Sequence, residues 1–287
     1  PLNLAPGTPQ YVRDRVEADL TACARMGLAD CEIVVLRCAE ALAPGSATAH
    51  MARGYYAYYV DRRFDDALEQ FRTADRLRPS DAGVKAAIAY ILRRQGDFEG
   101  AAEEFKRAIE LDPRNASLYI SQAETFEALR RWRASEAVIE RGLVIAPRNT
   151  RLIAQKIEAL VSLDRDLGRA TRYASEVGVA MPSDFDLNSA RARLEWAAGD
   201  GVRALELLDE APRFSANQEM RYWLESGLIH RVDGDIEASR AAGERLESLA
   251  LRLTERDGVR GAFVAMARGL QFDSAGARAR AAEAVKR

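Results

Sequence analysis

The residues that could carry chemistry are few and scattered. The two histidines, His50 and His230, lie far apart, and no acid or nucleophile pattern accompanies His50. The chain holds no G-x-x-x-x-G-K-[ST], G-x-S-x-G, H-E-x-x-H or C-x-x-C pattern, so the usual phosphate loop, nucleophile elbow and zinc helix are missing. Cys23, Cys31 and Cys38 are spaced by eight and seven residues, which fits no metal or redox motif. On helices, such cysteines read as small core residues. Their odd, clustered number points to a reducing compartment, and a cytoplasmic location is expected. Glu103 and Glu104 read as carboxylates of a solvated helix face. The expectation is a non-catalytic chain with no metal and no cofactor.

Two other residue types recur in a pattern. Tyr55, Tyr56, Tyr58, Tyr59 and Tyr90 crowd two neighbouring segments. Arg62-Arg63, Arg93-Arg94, and Arg130-Arg131 with Arg133 recur in three successive turns. Tyrosine offers contact area at low entropy cost, as recognition surfaces require. It also packs well between helices, so both readings stand. The arginines are placed to meet carbonyls and the negative ends of helix dipoles. Basic residues number 42 against 44 acidic, a net charge of −2. With acids interleaved among the arginines, nucleic acid is not an expected partner. No run of 18 apolar residues exists, so no membrane insertion is expected.

The elements that must position these side chains are helices in pairs. Pro44, Pro79, Pro113 and Pro147 fall 35, 34 and 34 residues apart. Ala67, Phe71 and Ala74 precede Pro79 at the offsets of Ala101, Phe105 and Ala108 before Pro113. Before Pro147 the set becomes Ser135, Ile139 and Gly142. One unit reads as helix A near Asp81 to Arg94, the turn Gln95-Gly96-Asp97, and helix B near Phe98 to Leu111. Gly96 suits a left-handed helix end and Asp97 caps the next helix. Asp112-Pro113 stops it. A 34-residue period with A-x-x-x-F and a trailing proline resembles the tetratricopeptide repeat, or TPR. The resemblance implies an all-α, right-handed TPR solenoid of about eight antiparallel helix pairs, in which stacked neighbours complete the core.

Taken in order, residues 1–10 read as an irregular lead-in. Residues 11–46 form a degenerate first repeat, 47–149 regular repeats, and 150–287 divergent repeats with a C-terminal cap. The 35-residue unit from Ala47 holds its extra residue in the turn Asp61-Arg62-Arg63. The stretch Pro212 to Asn217 is a candidate joint. A long helix B is expected from Ile236 towards Thr254, ended by Arg256-Asp257-Gly258. Ala277 to Arg287 is either a polar capping helix or a fragment boundary. Pro1 is not an initiator Met and no signal peptide is visible, so the chain is expected to be a segment of a longer one.

In TPR proteins helix A lines the concave surface. The resemblance therefore puts Tyr55, Tyr58, Tyr59, Tyr90, Arg93 and Arg94 in the groove. Ile120, Glu124 and Glu127 follow in the next repeat, then Arg151 and Glu158. A one-residue shift in the first count would substitute Tyr56 for Tyr55 and Tyr58. Chaperone-binding members clamp a terminal carboxylate with Lys and Asn. Here those places hold Met51, Tyr55, Ala86 and Tyr90, so a carboxylate clamp is not expected. His230 stands at a place usually held by Tyr and reads as a packed core residue. The function implied is a scaffold holding a protein or peptide ligand in the groove. RGYYAYYVDRRFDDALEQF is also similar to TPR regions of bacterial signalling proteins such as cyclases, kinases and winged-helix regulators. That similarity implies a regulatory or self-assembly segment as the alternative.

Overall fold

The computed structural model describes residue 43 and residues 45–163, 167–178, 184–252 and 258–271. Cys23, Cys31 and Cys38, residues 1–42 of the lead-in and degenerate repeat, and the helix expected from Ala277 lie outside them. The described residues contain helices and no strand. The chain divides at Ile145/Ala146 into two compact units, rather than at the joint expected near Pro212.

The first unit holds α1 (Ala47–Tyr59), α2 (Phe64–Leu77), α3 (Ala82–Arg94), α4 (Phe98–Leu111), α5 (Ala116–Ala128) and α6 (Trp132–Ile145). The second holds α7 (Thr150–Leu163), α8 (Gly168–Gly178), α9 (Phe185–Ala197), α10 (Gly201–Asp209), α11 (Ala216–Val232), α12 (Ile236–Ala250) and α13 (Gly258–Leu270). The helix expected to reach Thr254 ends at Ala250, and Gly258 opens the next helix instead of ending this one. Leu249, Leu251 and Leu253 extend the apolar pattern past the true end.

Local chemistry sets these boundaries. Ser46, Asp81, Asn115, Asp184 and Ser215 each cap a helix A with a side-chain oxygen. Asn149 does the same for Leu152 N–H at 3.1 Å. Such caps each contribute about 1 kcal/mol. Between A and B, Gly96, Gly199 and Gly234 sit at φ near +85° to +92°, and the amide of the next residue, the cap of helix B, closes back on helix A. Asp97 N–H reaches Leu92 O at 2.9 Å, Asp200 N–H reaches Glu195 O at 2.9 Å, and Asp235 N–H reaches His230 O at 2.8 Å. The third repeat fills this left-handed place with Arg130, φ 55°. The longer first turn places Arg62 at φ 58°, which locates the extra residue where its spacing predicts it.

The core follows the recurring triads. Ala67, Phe71, Ala74, Ala101, Phe105, Ala108, Ser135, Ile139, Ala204, Leu208 and Ala211 are all buried. The small members let backbones approach, and the large one fills the space between them. Two backbones come close at Gly243 of α12, where a Cβ would stand 2.7 Å from the Ala267 carbonyl oxygen of α13. In the second unit, α7 packs more extensively against α9 than against its own partner α8. That arrangement brings helices A into direct side-chain contact with one another.

Candidate functional site

In the first unit, helices α1 and α3 repeat one local geometry. Tyr55 presents its ring edge-on to Phe71, centroids 5.0 Å apart, and Tyr90 does the same to Phe105 at 5.1 Å. The two tyrosines therefore hold equivalent places. Tyr56 lies elsewhere, in a polar cavity of about 370 Å³ shared with Arg53, Arg63, Asp66 and Gln70. Tyr59 stacks on Tyr55 at 6.3 Å and takes the edge of Tyr58 at 4.6 Å. Tyr59 and Tyr90 remain 45% and 41% exposed.

Successive repeats are tied across this face. Arg94 Nε donates to Tyr58 Oη at 3.0 Å, joining α3 to α1. Tyr90 Oη and Ser121 Oγ are 2.7 Å apart, joining α3 to α5. Arg93 Nη1 reaches Glu124 Oε2 at 3.4 Å. Glu127 Oε1 accepts from Ser135 Oγ at 3.0 Å within the next hairpin. The structure thus brings Tyr55, Tyr58, Tyr59, Tyr90, Arg93, Arg94 and Glu124 together, while Glu127 turns to its own helix B. From their repeat positions, Arg93 and Glu124 are expected to face a partner as separate charges. Here they lie against each other, and their fields largely cancel.

Other expectations change. Four of the helix-end arginines, Arg63, Arg93, Arg94 and Arg131, meet carboxylates or a phenol. Arg63 pairs with Asp61 and Asp66 at 2.7 Å each, and Arg131 pairs with Glu99 at 2.6 Å. Glu104 is not on a solvated face: its side chain is mostly buried beside Arg107 and near Lys85. His230 is not a core residue either. It lies half-buried at the end of α11, 3.8 Å from Asp235. His50 Nδ1 is 2.9 Å from Gln70 Oε1. Among the described residues, no group of His, Cys, Asp and Glu could hold a metal ion, and no helix is long and apolar enough to cross a membrane.

The second unit carries a charge ladder that sequence reasoning missed. Arg151 and Arg221 both reach Asp186 Oδ1, at 2.9 and 2.6 Å. Arg193 bridges Glu158 at 2.8 Å and Glu225 at 2.6 Å. Ser189 Oγ donates to Glu225 at 2.7 Å. Burial pulls the Arg193 guanidinium down, and Glu225 with Glu158 more than offsets this, leaving it above its ordinary value. Three helices A are thereby laced together. The signal was present: Arg151 and Asp186, Glu158 and Arg193, and Asp186 and Arg221 are each 35 residues apart. Opposite charges at one repeat length are the counterpart between repeats of an i,i+4 pair.

Beside the ladder is an apolar cavity of about 350 Å³ between α9, α11 and α13. Its lining includes Trp196, Leu224, Leu228, Phe263 and Met266, with Arg193, Arg221 and Glu225 on its wall. Nearby, the loop before α11 is tightly held. Arg213 stacks over Tyr222 at 4.0 Å, bonds Glu219 at 3.1 Å and donates to Leu208 O at 3.2 Å. Tyr222 Oη donates to Asp209 at 2.6 Å, and burial together with Asp209 pushes its pKa up to about 12. The stretch expected as a joint is therefore fastened.

Paired helices, left-handed turns and aligned small residues define a helical-repeat scaffold of the solenoid class. Residues 89–129 match the family model of the TPR repeat. The chain thus carries a TPR-like repeat in its first unit. Its fold is similar to that of a tetratricopeptide repeat protein from Parabacteroides merdae, at TM-score 0.65 and 15% identity over 90% of this chain and 99% of that one. PilW, a type IV pilus biogenesis factor, aligns at TM-score 0.54 and 16% identity, over 74% of this chain and 97% of its own. A chain of the APC/C Cut9–Hcn1 hetero-tetramer aligns at 0.58 and 12% identity, over 95% of this chain and 49% of its own. Comparison with curated proteins found no match. TPR folds generally serve as non-catalytic scaffolds for protein–protein interaction.

Proposed function

We propose that this chain is a protein-interaction scaffold whose first unit holds a peptide or partner helix on the face of α1, α3 and α5. The observation that supports this most is the exposure of Tyr59 and Tyr90, at 45% and 41%, on rings whose other edges are braced by Tyr55, Tyr58 and Phe105. A braced aromatic loses little entropy on binding, and aromatic residues with arginine dominate binding hot spots. Arg93 and Arg94 stand beside them. Because Arg93 faces Glu124, an acidic group of the partner would compete with Glu124 for it. The ligand is therefore read as an apolar or aromatic anchor followed by a carboxylate.

The test is capture of partners by the intact chain and by the double variant Tyr59→Ala, Tyr90→Ala, with helicity checked by circular dichroism. Removing one such anchor commonly costs about 2 kcal/mol or more, so the double variant should lose its partners. Glu124→Gln should tighten an acidic ligand. A folded double variant that keeps the same partners at undiminished affinity would reduce the tyrosines to packing between repeats.

A further inference from the structure

Arg94 is the cation of the tyrosine face that has no acid of its own. It is exposed at the end of α3, one turn past Tyr90, and residues four apart on a helix share a side. Its Nε donates to Tyr58 Oη at 3.0 Å, and no carboxylate among the described residues pairs with it. The nearby charges are engaged elsewhere. Arg93 faces Glu124, and Asp65 accepts from Gln95 Nε2 at 2.6 Å. The guanidinium is therefore oriented by an uncharged phenol, and its two Nη groups are left to donate. Tyr58 is in a similar position. Its oxygen accepts from Arg94, and its own proton has no acceptor among the described residues.

These donors decide the form of the ligand. A helix spends its carbonyls on its own amides, so its apolar side would cover the Tyr58 proton and give it no acceptor, a costly outcome for a buried donor. A chain in the polyproline II form makes no internal hydrogen bonds and keeps its carbonyls bare. Proline has no N–H to satisfy, which suits a face whose carboxylates, Glu124 and Glu127, already accept from Arg93 and Ser135. Every third side chain of that form points the same way, here onto the exposed rings of Tyr59 and Tyr90. Aromatic-lined surfaces hold such segments well because the form is already set before binding.

We propose that the tyrosine face takes a proline-rich segment in the polyproline II form, with proline rings on Tyr59 and Tyr90, a bare carbonyl on the Tyr58 O–H, and an acidic side chain on the two Nη groups of Arg94. This rests on the reading of that face as the docking surface, and it narrows the ligand from a peptide or a helix to an extended, acidic, proline-rich chain. Arg94 rather than Arg93 receives the acid, because no resident carboxylate has to be displaced from it. Two parallel N–H bonds to one carboxylate also fix the direction of the chain across the face.

The probes are three fluorescein-labelled peptides, each amidated at its C-terminus: an oligoproline ending in Glu, the same peptide ending in Gln, and an Ala-rich helical peptide with Leu anchors and a Glu. Binding is read by fluorescence anisotropy with the full chain and its Tyr59→Ala and Arg94→Gln variants. Both positions are exposed, so both variants should fold, as circular dichroism will show. The oligoproline with Glu should bind at micromolar to millimolar concentration, and about tenfold more tightly than either other peptide. In Arg94→Gln the two oligoprolines should bind alike, and Tyr59→Ala should weaken both at least about tenfold. An oligoproline that fails to bind, a helical peptide that binds better, or a preference for Glu that survives Arg94→Gln would each overturn the proposal. Partner capture separates this failure from that of the docking face. If the Tyr59→Ala, Tyr90→Ala chain loses its partners while oligoproline is ignored, the proline-rich ligand is wrong and the face stands. If that chain keeps its partners and binds oligoproline as the wild type does, the face itself is wrong.

Discussion

Replacing Phe105 with Ala tests the repeat packing and its connection to the tyrosine face together. Phe105 is fully buried in α4 and meets the Tyr90 ring edge-on at 5.1 Å. A Phe side chain buries about 150–250 Å². At about 25 cal/mol per Å² that is about 4–6 kcal/mol, an upper figure because the unfolded chain is already partly collapsed. Subtracting what Ala retains, and adding the cavity left behind, gives about 3–5 kcal/mol. Phe105→Leu keeps most of the volume and should cost under about 1.5 kcal/mol. Each repeat contacts only its neighbours, so the loss should fall on the first unit. Trp132 is the tryptophan of that unit, and Trp196 and Trp223 belong to the other. Urea titration of a chain bearing Trp196→Phe and Trp223→Phe, followed by Trp132 fluorescence, therefore reads the affected half. The same substitution should also free the Tyr90 ring and weaken whatever binds it. A Trp132 midpoint unchanged by Phe105→Ala, or a loss below about 1 kcal/mol, would refute the packing argument.

Gly243→Ala should cost about 1–3 kcal/mol by pushing α12 off the Ala267 carbonyl. Gly269→Ala, whose Cβ would meet nothing within 4 Å, is the control and should stabilise by up to about 1 kcal/mol; thermal melts of the pair decide. Arg130→Gly relieves a non-glycine residue at φ 55° and should raise stability by up to about 1 kcal/mol, read from urea midpoints. Tyr222 titrates near 12 when folded and near 10 when unfolded. Its raised pKa contributes stability below pH 10, and that contribution disappears as pH rises through 12. Urea midpoints should fall over that window, less steeply in Tyr222→Phe; equal slopes would show that Tyr222 is not responsible.

Helix boundaries were legible wherever one residue type carried the signal. Gly96, Gly199 and Gly234 announce the left-handed turns, and Ser, Asp or Asn caps every described helix A whose start is resolved. Where Arg130 fills the same turn, only the repeat phase revealed it. The end of α12 at Ala250 was hidden because the leucine pattern continues beyond it. At the candidate site the tyrosines stood out by type, but pairing did not. No spacing within one helix marks Arg93 and Glu124 as a pair, because the two are 31 residues apart and meet only when repeats stack. The cavity beside Trp196 left no mark in the chain at all, since it arises where three separated helices fail to close.

The ninth residue of successive helices A is Tyr55, Tyr90, Glu124, Glu158 and Arg193. Early in the chain this place is aromatic; later it is a rung of the charge ladder. Desolvating an ion pair becomes less costly as temperature rises, whereas burial of apolar rings levels off. The two halves should therefore age differently on heating, with the ladder half keeping its grip longer. For an engineer the same place is a cassette. Writing the Glu158–Arg193 rung into positions 55 and 90, with Glu at one and Arg at the other, would exchange a sticky surface for a heat-hardened strut without altering a turn or a cap.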